Sequence, residues 1–98
     1  MSLADLLRQD RRLVILRFLS EDADYRLNTS VLRSALDAYG HGVSRDQVET
    51  DVEWLAEQGL VTVEAVGPVR VVTITARGVD VSAGRAVVPG VKRPGPRE

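Results

Sequence analysis

The stretch VSRDQVETDVEWLAEQGLVTVEAVGPVRVVTIT, residues 43–75, predicts a capped helix that leads into a β-hairpin. Ser44 and Gln47 form a capping box at the start of the helix, and Gly59 is placed to end it. Apolar residues recur within the helix at the spacing of a single face. The buried stripe of this helix is predicted to contain Val48, Val52 and Leu55.

Two segments follow this helix, residues 60–66 and residues 69–75, and both are rich in β-branched residues. Such residues favour strands over helices. Gly67 and Pro68 between the two segments supply the chemistry of a tight turn. We therefore expect a β-hairpin directly after the helix.

Two further helices are predicted before this stretch and one after it. The first runs from about Leu3 to Leu19, and the second begins after the capping residue Asn28 and ends at Gly40. A brief strand is expected between them, at residues 25–27. Thr75 is placed to cap a short last helix.

The order of these elements is helix, short strand, helix, helix and hairpin, which is that of a winged helix-turn-helix. The predicted fold class is α+β, mostly helical, with a three-helix core, a two-stranded β-wing and a short C-terminal helix or arm. Residues 1–84 are predicted to form this domain. Residues 85–98 form a basic tail rich in proline and glycine that has little to bury. We expect this tail to be extended or disordered unless it packs on a partner.

Several phrases in the chain resemble known bacterial and phage proteins. Residues 43–61 resemble the recognition helix and the start of the wing in the MarR, ArsR and PadR classes of regulator, where a Leu-x-x-x-Gly-Leu phrase ends the helix; here it is residues 55–60. ITARG, residues 74–78, is similar to the phrase that closes the wing in MarR and PadR proteins. With RRLVILRFLSE (11–21) and VPGVKRP (88–94), the whole chain resembles a small family encoded in Mu-like phages and prophages. The resemblance implies DNA binding and dimerisation.

The composition restricts the class of protein. A chain of 98 residues with 44% hydrophobic and 28% charged residues is expected to form one soluble domain. No apolar run approaches the length of a membrane span, and charged residues interrupt any apolar segment near the N-terminus. We therefore expect a cytoplasmic protein with no membrane partner. The lack of cysteine excludes disulfides, thiolate catalysis and a cysteine-type zinc site.

No group of residues typical of catalysis is identifiable in the sequence. It contains no glycine-rich phosphate loop, no nucleophile paired with a base and no pair of carboxylates in an evident cleft. His41 lies between two glycines, and there is no second histidine to join it in a metal site, so we expect it to be a turn residue. We expect no enzymatic activity, no cofactor and no metal ion.

The net charge of −1 hides an uneven distribution along the chain. Residues 41–66 carry one basic residue against six acidic ones, whereas residues 67–98 carry six basic residues against two acidic ones. The outward side of the third helix, which would face the major groove, is predicted to carry Asp46, Thr50, Glu53 and Glu57, with Glu49 on its flank. No cation lies at helical spacing from Glu53 or Glu57. Two alternatives remain for these acids: a solvated acidic face, or a surface for a basic protein partner.

The residues expected to contact DNA therefore lie mostly outside the third helix, because carboxylates are repelled by phosphates. On that helix, Arg45 is the best donor to base edges, with Gln47 and Thr50 as weaker candidates. Arg70 at the turn of the wing and the cations of the tail are expected to supply more binding free energy. The cations of the tail are Lys92, Arg93 and Arg97.

The first helix has two apolar faces, and one of them can enter the core of a small domain. The other face is predicted to form a homodimer interface, because an exposed apolar strip promotes association. The C-terminal segment is the alternative cover. The predicted interface consists of Leu3, Leu6, Leu7 and Val14, with Phe18 nearby.

Two functional hypotheses follow from the sequence. The first is a DNA-binding winged-helix protein that regulates phage or prophage transcription as a homodimer. The alternative is a winged-helix module for protein interaction, in which the acidic third helix binds a basic partner, because a fold by itself does not determine function.

Overall fold

The secondary structure follows the predicted order. A computed structural model describes residues 1–96, which form four helices and a three-stranded antiparallel sheet with strand order β1-β3-β2. The elements are α1 (Leu3–Glu21), β1 (Arg26–Asn28), α2 (Thr29–Ala38), α3 (Arg45–Glu57), β2 (Val61–Val66), β3 (Val69–Ile74) and α4 (Ala76–Ser82). The fold is therefore α+β and mostly helical, in the arrangement of a winged helix-turn-helix.

Side-chain caps fix where α2 and α3 begin, as predicted. The Ser44 hydroxyl accepts a hydrogen bond from the Gln47 amide at 3.2 Å, and the Gln47 side-chain oxygen accepts one from the Ser44 amide at 3.2 Å. The Asn28 side chain accepts a hydrogen bond from the Val31 amide at 2.8 Å. These bonds satisfy amides that no helical carbonyl reaches.

The wing contains one more strand than the hairpin alone provides. The hairpin pairs Val61 with Ile74 at its base, and the brief strand β1 pairs with the other side of β3, with Arg26 opposite Thr73. The predicted short strand at residues 25–27 is therefore present at Arg26–Asn28. Because β1 leads directly into α2, its pairing with β3 ties the wing to the helix-turn-helix.

The core contains residues from both apolar faces of α1. Its largest fully buried side chains are Leu13, Ile15, Leu16, Leu19, Leu32, Leu36, Leu55, Leu60, Val48, Val52 and Val72. Helix α4 packs against α1 and contributes Val81. Gly78 allows α4 to approach the sheet closely, because a Cβ at this position would collide with the carbonyl oxygen of Leu60.

Part of the predicted dimer interface belongs to this core instead. Val14 is only 9% exposed and lies in the core cluster, so its assignment to a surface strip was wrong. Phe18 is half-buried, and its ring meets Tyr39 edge-on at a centroid distance of 4.9 Å. The first turns of α1 keep an exposed apolar strip, with exposed fractions of 70% for Leu3, 51% for Leu6 and 46% for Leu7.

The C-terminal segment packs on its own domain, contrary to the expectation of a tail with little to bury. Val88 and Val91 are 4% and 7% exposed and belong to the core cluster. The Lys92 amide donates to the Gln9 carbonyl of α1 at 3.1 Å. Gly90 has φ +103°, and a Cβ there would lie 2.7 Å from the ring of Trp54. The Trp54 ring therefore lies against the C-terminal segment at Gly90.

Candidate nucleic-acid interface

Ion pairs on the exposed side of α3 link this helix to the wing. Arg45 Nε lies 3.1 Å from Glu49 Oε2, and Nη1 of Arg70 on β3 lies 3.3 Å from Glu49 Oε1. Nη2 of the same arginine lies 3.1 Å from Glu53 Oε1. One guanidinium therefore holds two carboxylates of α3, and Glu49 is shared between two arginines.

These contacts correct two expectations about charge. Glu53 has no cation at helical spacing, but the wing supplies one from a distant part of the sequence. Arg70, expected to extend from the wing toward DNA, is bound to α3 instead. Its hydrogen bonds to Glu53 and Glu49 raise the pKa of Arg70 above the usual arginine value.

Fewer carboxylates on the exposed side of α3 lack a cationic partner than the sequence predicted. Asp46 and Glu57 are exposed, and neither forms an ion pair with any of the residues 1–96. Asp46 lies in the first turn of α3, where the helix dipole favours a carboxylate. Glu57 is the last residue of the helix and has no such compensation.

A cleft of 260 Å³ lies between α2, α3 and the wing. Its lining residues are Thr29, Ser30, Arg33, Arg45, Pro68 and Val69, with no carboxylate among them. Arg33 Nε donates to the Val43 carbonyl at 3.3 Å, which fixes this arginine against the turn before α3. The terminal nitrogens of Arg33 have no hydrogen bond to the described part of the chain.

The electrostatics of the cleft favour an anion. Thr29 and Ser30 are the first residues of α2, whose first turn contains no acidic residue and carries the positive end of the helix dipole. The Thr29 side chain is buried, and its hydroxyl has no hydrogen-bond partner within residues 1–96. Pro68 and Val69 form an apolar wall. The cleft can therefore receive an anionic group that is attached to an apolar one.

The other predicted DNA contacts on α3 differ in availability. Thr50 is exposed on α3. Gln47 is also exposed; its side-chain oxygen accepts a hydrogen bond from the Ser44 amide, and its NH₂ group is available as a donor. Arg45 lines the cleft while its Nε is bound to Glu49.

The cations of the C-terminal segment contact other elements of the fold than Arg45 and Arg70 do. Lys92 Nζ is 3.3 Å from Asp10 Oδ1 on α1. Arg93 is exposed and lines a groove with Ser82, at the end of α4. Arg97 lies outside the described residues. Lys92 and Arg93 therefore lie beside α1 and the end of α4, whereas Arg70 is bound to α3.

Comparison with known proteins identifies the relatives of this chain. The "Uncharacterized protein gp26" of Escherichia phage Mu is 59% identical over 93 residues, which cover 95% of this chain and 96% of that protein. The chain belongs to the family of phage Mu gp26. An uncharacterized protein of Haemophilus influenzae is 55% identical over 64 residues, covering 65% of this chain and 62% of that protein. No family model matches the chain. The resemblance to proteins of Mu-like phages is thus confirmed.

In this gp26-family chain, a buried cluster of charged residues contacts the inward side of α3. Arg11 of α1 donates to the Asp51 carboxylate of α3, and Arg12 Nε lies 3.6 Å from the other carboxylate oxygen. The Arg12 guanidinium lies 3.8 Å from the centre of the Trp54 ring and donates to the Gly90 carbonyl at 3.0 Å. Burial lowers the pKa of Arg12. The cluster joins α1, α3 and the C-terminal segment.

Within residues 1–96, the arginines of α1 form one ion pair at helical spacing, Arg8 with Asp5 at 3.0 Å. The sequence does contain a signal for the buried pair of Arg11 and Asp51. Asp51 lies three residues after Val48 and four before Leu55, which places it on the predicted buried stripe of the helix. A carboxylate at such a position requires a buried cation.

His41 has a more specific role than that of a turn residue. It is buried, and its Nε2 lies 2.7 Å from Asp10 Oδ2. Burial raises the pKa of Asp10, but hydrogen bonds from His41 and Lys92 outweigh this effect and leave the pKa below its usual value. Asp10 therefore ties the turn after α2 and the C-terminal segment to α1.

Two features are absent from residues 1–96. No group of three or more histidine, aspartate or glutamate side chains is arranged to hold a metal ion. Within the same residues, no helix combines the length and the apolar character needed to cross a membrane.

Proposed function

We propose that this protein is a DNA-binding winged-helix regulator that acts as a homodimer on phage or prophage transcription in the host cytoplasm. The observation that carries the proposal is the cleft between α2, α3 and the wing. Arg33 and Arg45 line it together with two hydroxyls and the positive end of α2, and no carboxylate does. Arginine guanidinium groups suit the geometry of phosphate oxygens, and helix N-termini accept anions.

The apolar wall fits the same ligand. A DNA strand presents deoxyribose beside each phosphate, and Pro68 and Val69 offer a surface for a sugar while the arginines meet the phosphate. In this proposal, α2, α3 and the wing position the strand, and Arg45 and Thr50 are the residues nearest to the base edges. The NH₂ group of Gln47 is a further donor.

The DNA proposal is tested by replacing both arginines of the cleft with alanine. Binding of the wild-type protein to a labelled random duplex is measured by fluorescence anisotropy over a series of salt concentrations. Each lost phosphate contact lowers the slope of log K against log salt by about 0.9. The double variant Arg33→Ala/Arg45→Ala is therefore expected to lose about two units of slope and most of its affinity at low salt.

The matched control is Arg85→Ala. Arg85 is exposed, follows the end of α4 and forms an ion pair with Asp80. The salt slope of this variant is expected to equal that of the wild type. Equal slopes for the cleft variant and for this control would contradict the assignment of the cleft. Melting curves of all three proteins verify that the substitutions leave the fold intact.

The dimer proposal rests on the exposed strip of Leu3, Leu6 and Leu7. Sedimentation velocity at micromolar concentration is expected to report a dimer for the wild type and a shift toward monomer for Leu7→Asp, because a buried carboxylate opposes association. Val31→Asp is the control, since Val31 on α2 has nearly the same exposed fraction, 45% against 46%. A monomeric wild-type protein would eliminate the dimer.

The alternative function, binding of a basic protein partner, is favoured by the two unpaired acids of α3. Asp46 and Glu57 are exposed and lack ion pairs with the described residues. If the wild-type protein fails to bind DNA at low salt, this alternative takes precedence. A partner captured by the wild-type protein and lost by Asp46→Asn/Glu57→Gln would then support it.

A further inference from the structure

Arg70 holds two carboxylates of the helix that would face DNA. Its two terminal nitrogens contact Glu53 at 3.1 Å and Glu49 at 3.3 Å, while the second oxygen of Glu49 contacts Arg45. Arg45 also lines the cationic cleft. The carboxylates therefore occupy donors on two arginines, and one of these arginines belongs to the proposed DNA site.

These contacts have the chemistry of an arginine–phosphate contact. A guanidinium donates to carboxylate and phosphate oxygens through the same fork of N–H groups. The Arg70 side chain is 32% exposed and that of Glu53 is 59% exposed, so solvent and an approaching strand can reach the pair. Exposed ion pairs are weak and are screened by salt, which makes them exchangeable.

We propose that Glu49 and Glu53 act as internal substitutes for DNA phosphate, which occupy Arg70 and Arg45 in the free protein and must be displaced for full binding. The inference rests on the proposed DNA-binding function. It assigns Arg70 a conditional role: the residue is bound to α3 without DNA and becomes a phosphate contact when a strand displaces the two glutamates. The wing is then held against α3 in the free protein by the contact that DNA replaces.

A simple structural role for the ion pairs predicts a different outcome. If the glutamates only repel DNA through their charge, any two carboxylates of α3 should be equivalent when removed. If they act on Arg70, removal of Glu49 and Glu53 should tighten DNA binding more than removal of the other two carboxylates, and this excess should require Arg70. Asp46 and Glu57 provide the matched comparison, since they lie on the same helix and have no ion pair with the described residues.

The experiment compares Glu49→Gln/Glu53→Gln with Asp46→Asn/Glu57→Gln, each with and without Arg70→Ala, in anisotropy titrations with a random duplex. The first double variant is expected to bind about tenfold tighter than the wild type and to gain roughly one to two units of salt slope, about 0.9 per added phosphate contact. The second is expected to gain only a few-fold. Arg70→Ala should change wild-type affinity by less than about twofold but remove most of the gain of the first double variant.

Each outcome decides the matter. Equal gains for the two double variants, or a gain of the first double variant that Arg70→Ala leaves undiminished, overturn the inference and leave the proposed function standing if the wild type binds. Absence of binding by wild type and Glu49→Gln/Glu53→Gln alike overturns both. Binding by that variant alone, dependent on Arg70, supports the inference most strongly. If Glu49→Gln/Glu53→Gln does not fold, the single variants Glu53→Gln and Glu57→Gln give the same comparison, because each removes one charge.

Discussion

Replacement of Asp51 by alanine is expected to destabilise the protein by about 3–5 kcal/mol, the cost of leaving a buried charge without its partner. Asp51 is 2% exposed and accepts a hydrogen bond from Arg11, a residue that is itself only 8% exposed. Total stability of a domain is about 5–15 kcal/mol, so the variant loses a large share of it. Urea denaturation followed by Trp54 fluorescence measures the loss, since this ring packs on Arg12 beside the pair.

Two variants separate burial from charge in this experiment. Glu57→Ala removes a carboxylate from the exposed side of the same helix and is expected to change stability by about 0.5 kcal/mol or less. Arg11→Met/Asp51→Leu replaces both partners by apolar side chains and is expected to recover much of the loss. A cost of less than about 1 kcal/mol for Asp51→Ala would mean that Arg11 finds another partner or reaches water.

The elements that the sequence predicts well are those with local signals. The capping pair Ser44 and Gln47 and the turn at Gly67 and Pro68 act within a few residues, and they fix the start of α3 and the hairpin. These signals carry enough physical information because capping and turn chemistry depend on neighbouring residues. The order of elements then leads to the winged-helix arrangement.

Contacts between distant residues were missed. Arg11 and Asp51 are 40 residues apart, and Arg70 is 17 from Glu53, so neither helical spacing nor local charge counts reveal these pairs. The distribution of charge along the chain predicted an acidic side of α3 that has no cationic partners. In space, the wing neutralises part of that face.

The candidate site was only partly predictable. Arg45 was identified because it lies at the exposed start of α3, whereas Arg33 and Thr29 were not singled out. A signal was available in α2, whose first turn has hydroxyl residues and no acid. Only the packing of α2 against α3 and the wing brings these residues to the same cleft as Arg45.

The C-terminal segment shows how composition can mislead. Three prolines and several cations in residues 85–98 favour an extended chain. Two valines, however, are enough to anchor the segment because α1 and Trp54 provide an apolar surface for it. This changes the expected effect of removing the segment from a loss of DNA contacts to a loss of stability.

Deletion of residues 85–98 is expected to destabilise the domain by several kcal/mol. Val88 and Val91 are 4% and 7% exposed, and burial of each such side chain contributes about 1.5–3 kcal/mol. Deletion also removes the Gly90 carbonyl that accepts from Arg12 and uncovers the ring of Trp54. Since 1 kcal/mol shifts the Tm of a domain of this size by about 4–8 °C, calorimetry should show a fall of more than about 10 °C.

Two neighbouring valines provide the control for this deletion. Val88→Ala, at a buried position, is expected to cost about 1–3 kcal/mol, whereas Val87→Ala, at a position 59% exposed, is expected to cost about 0.5 kcal/mol or less. A free DNA-binding arm predicts the reverse pattern: unchanged Tm for every variant and a reduced salt slope after deletion. If the deletion lowers the Tm, a loss of DNA binding by the truncated protein no longer separates lost contacts from lost folding, and the contribution of Arg93 to DNA binding must be measured with Arg93→Ala in the full chain.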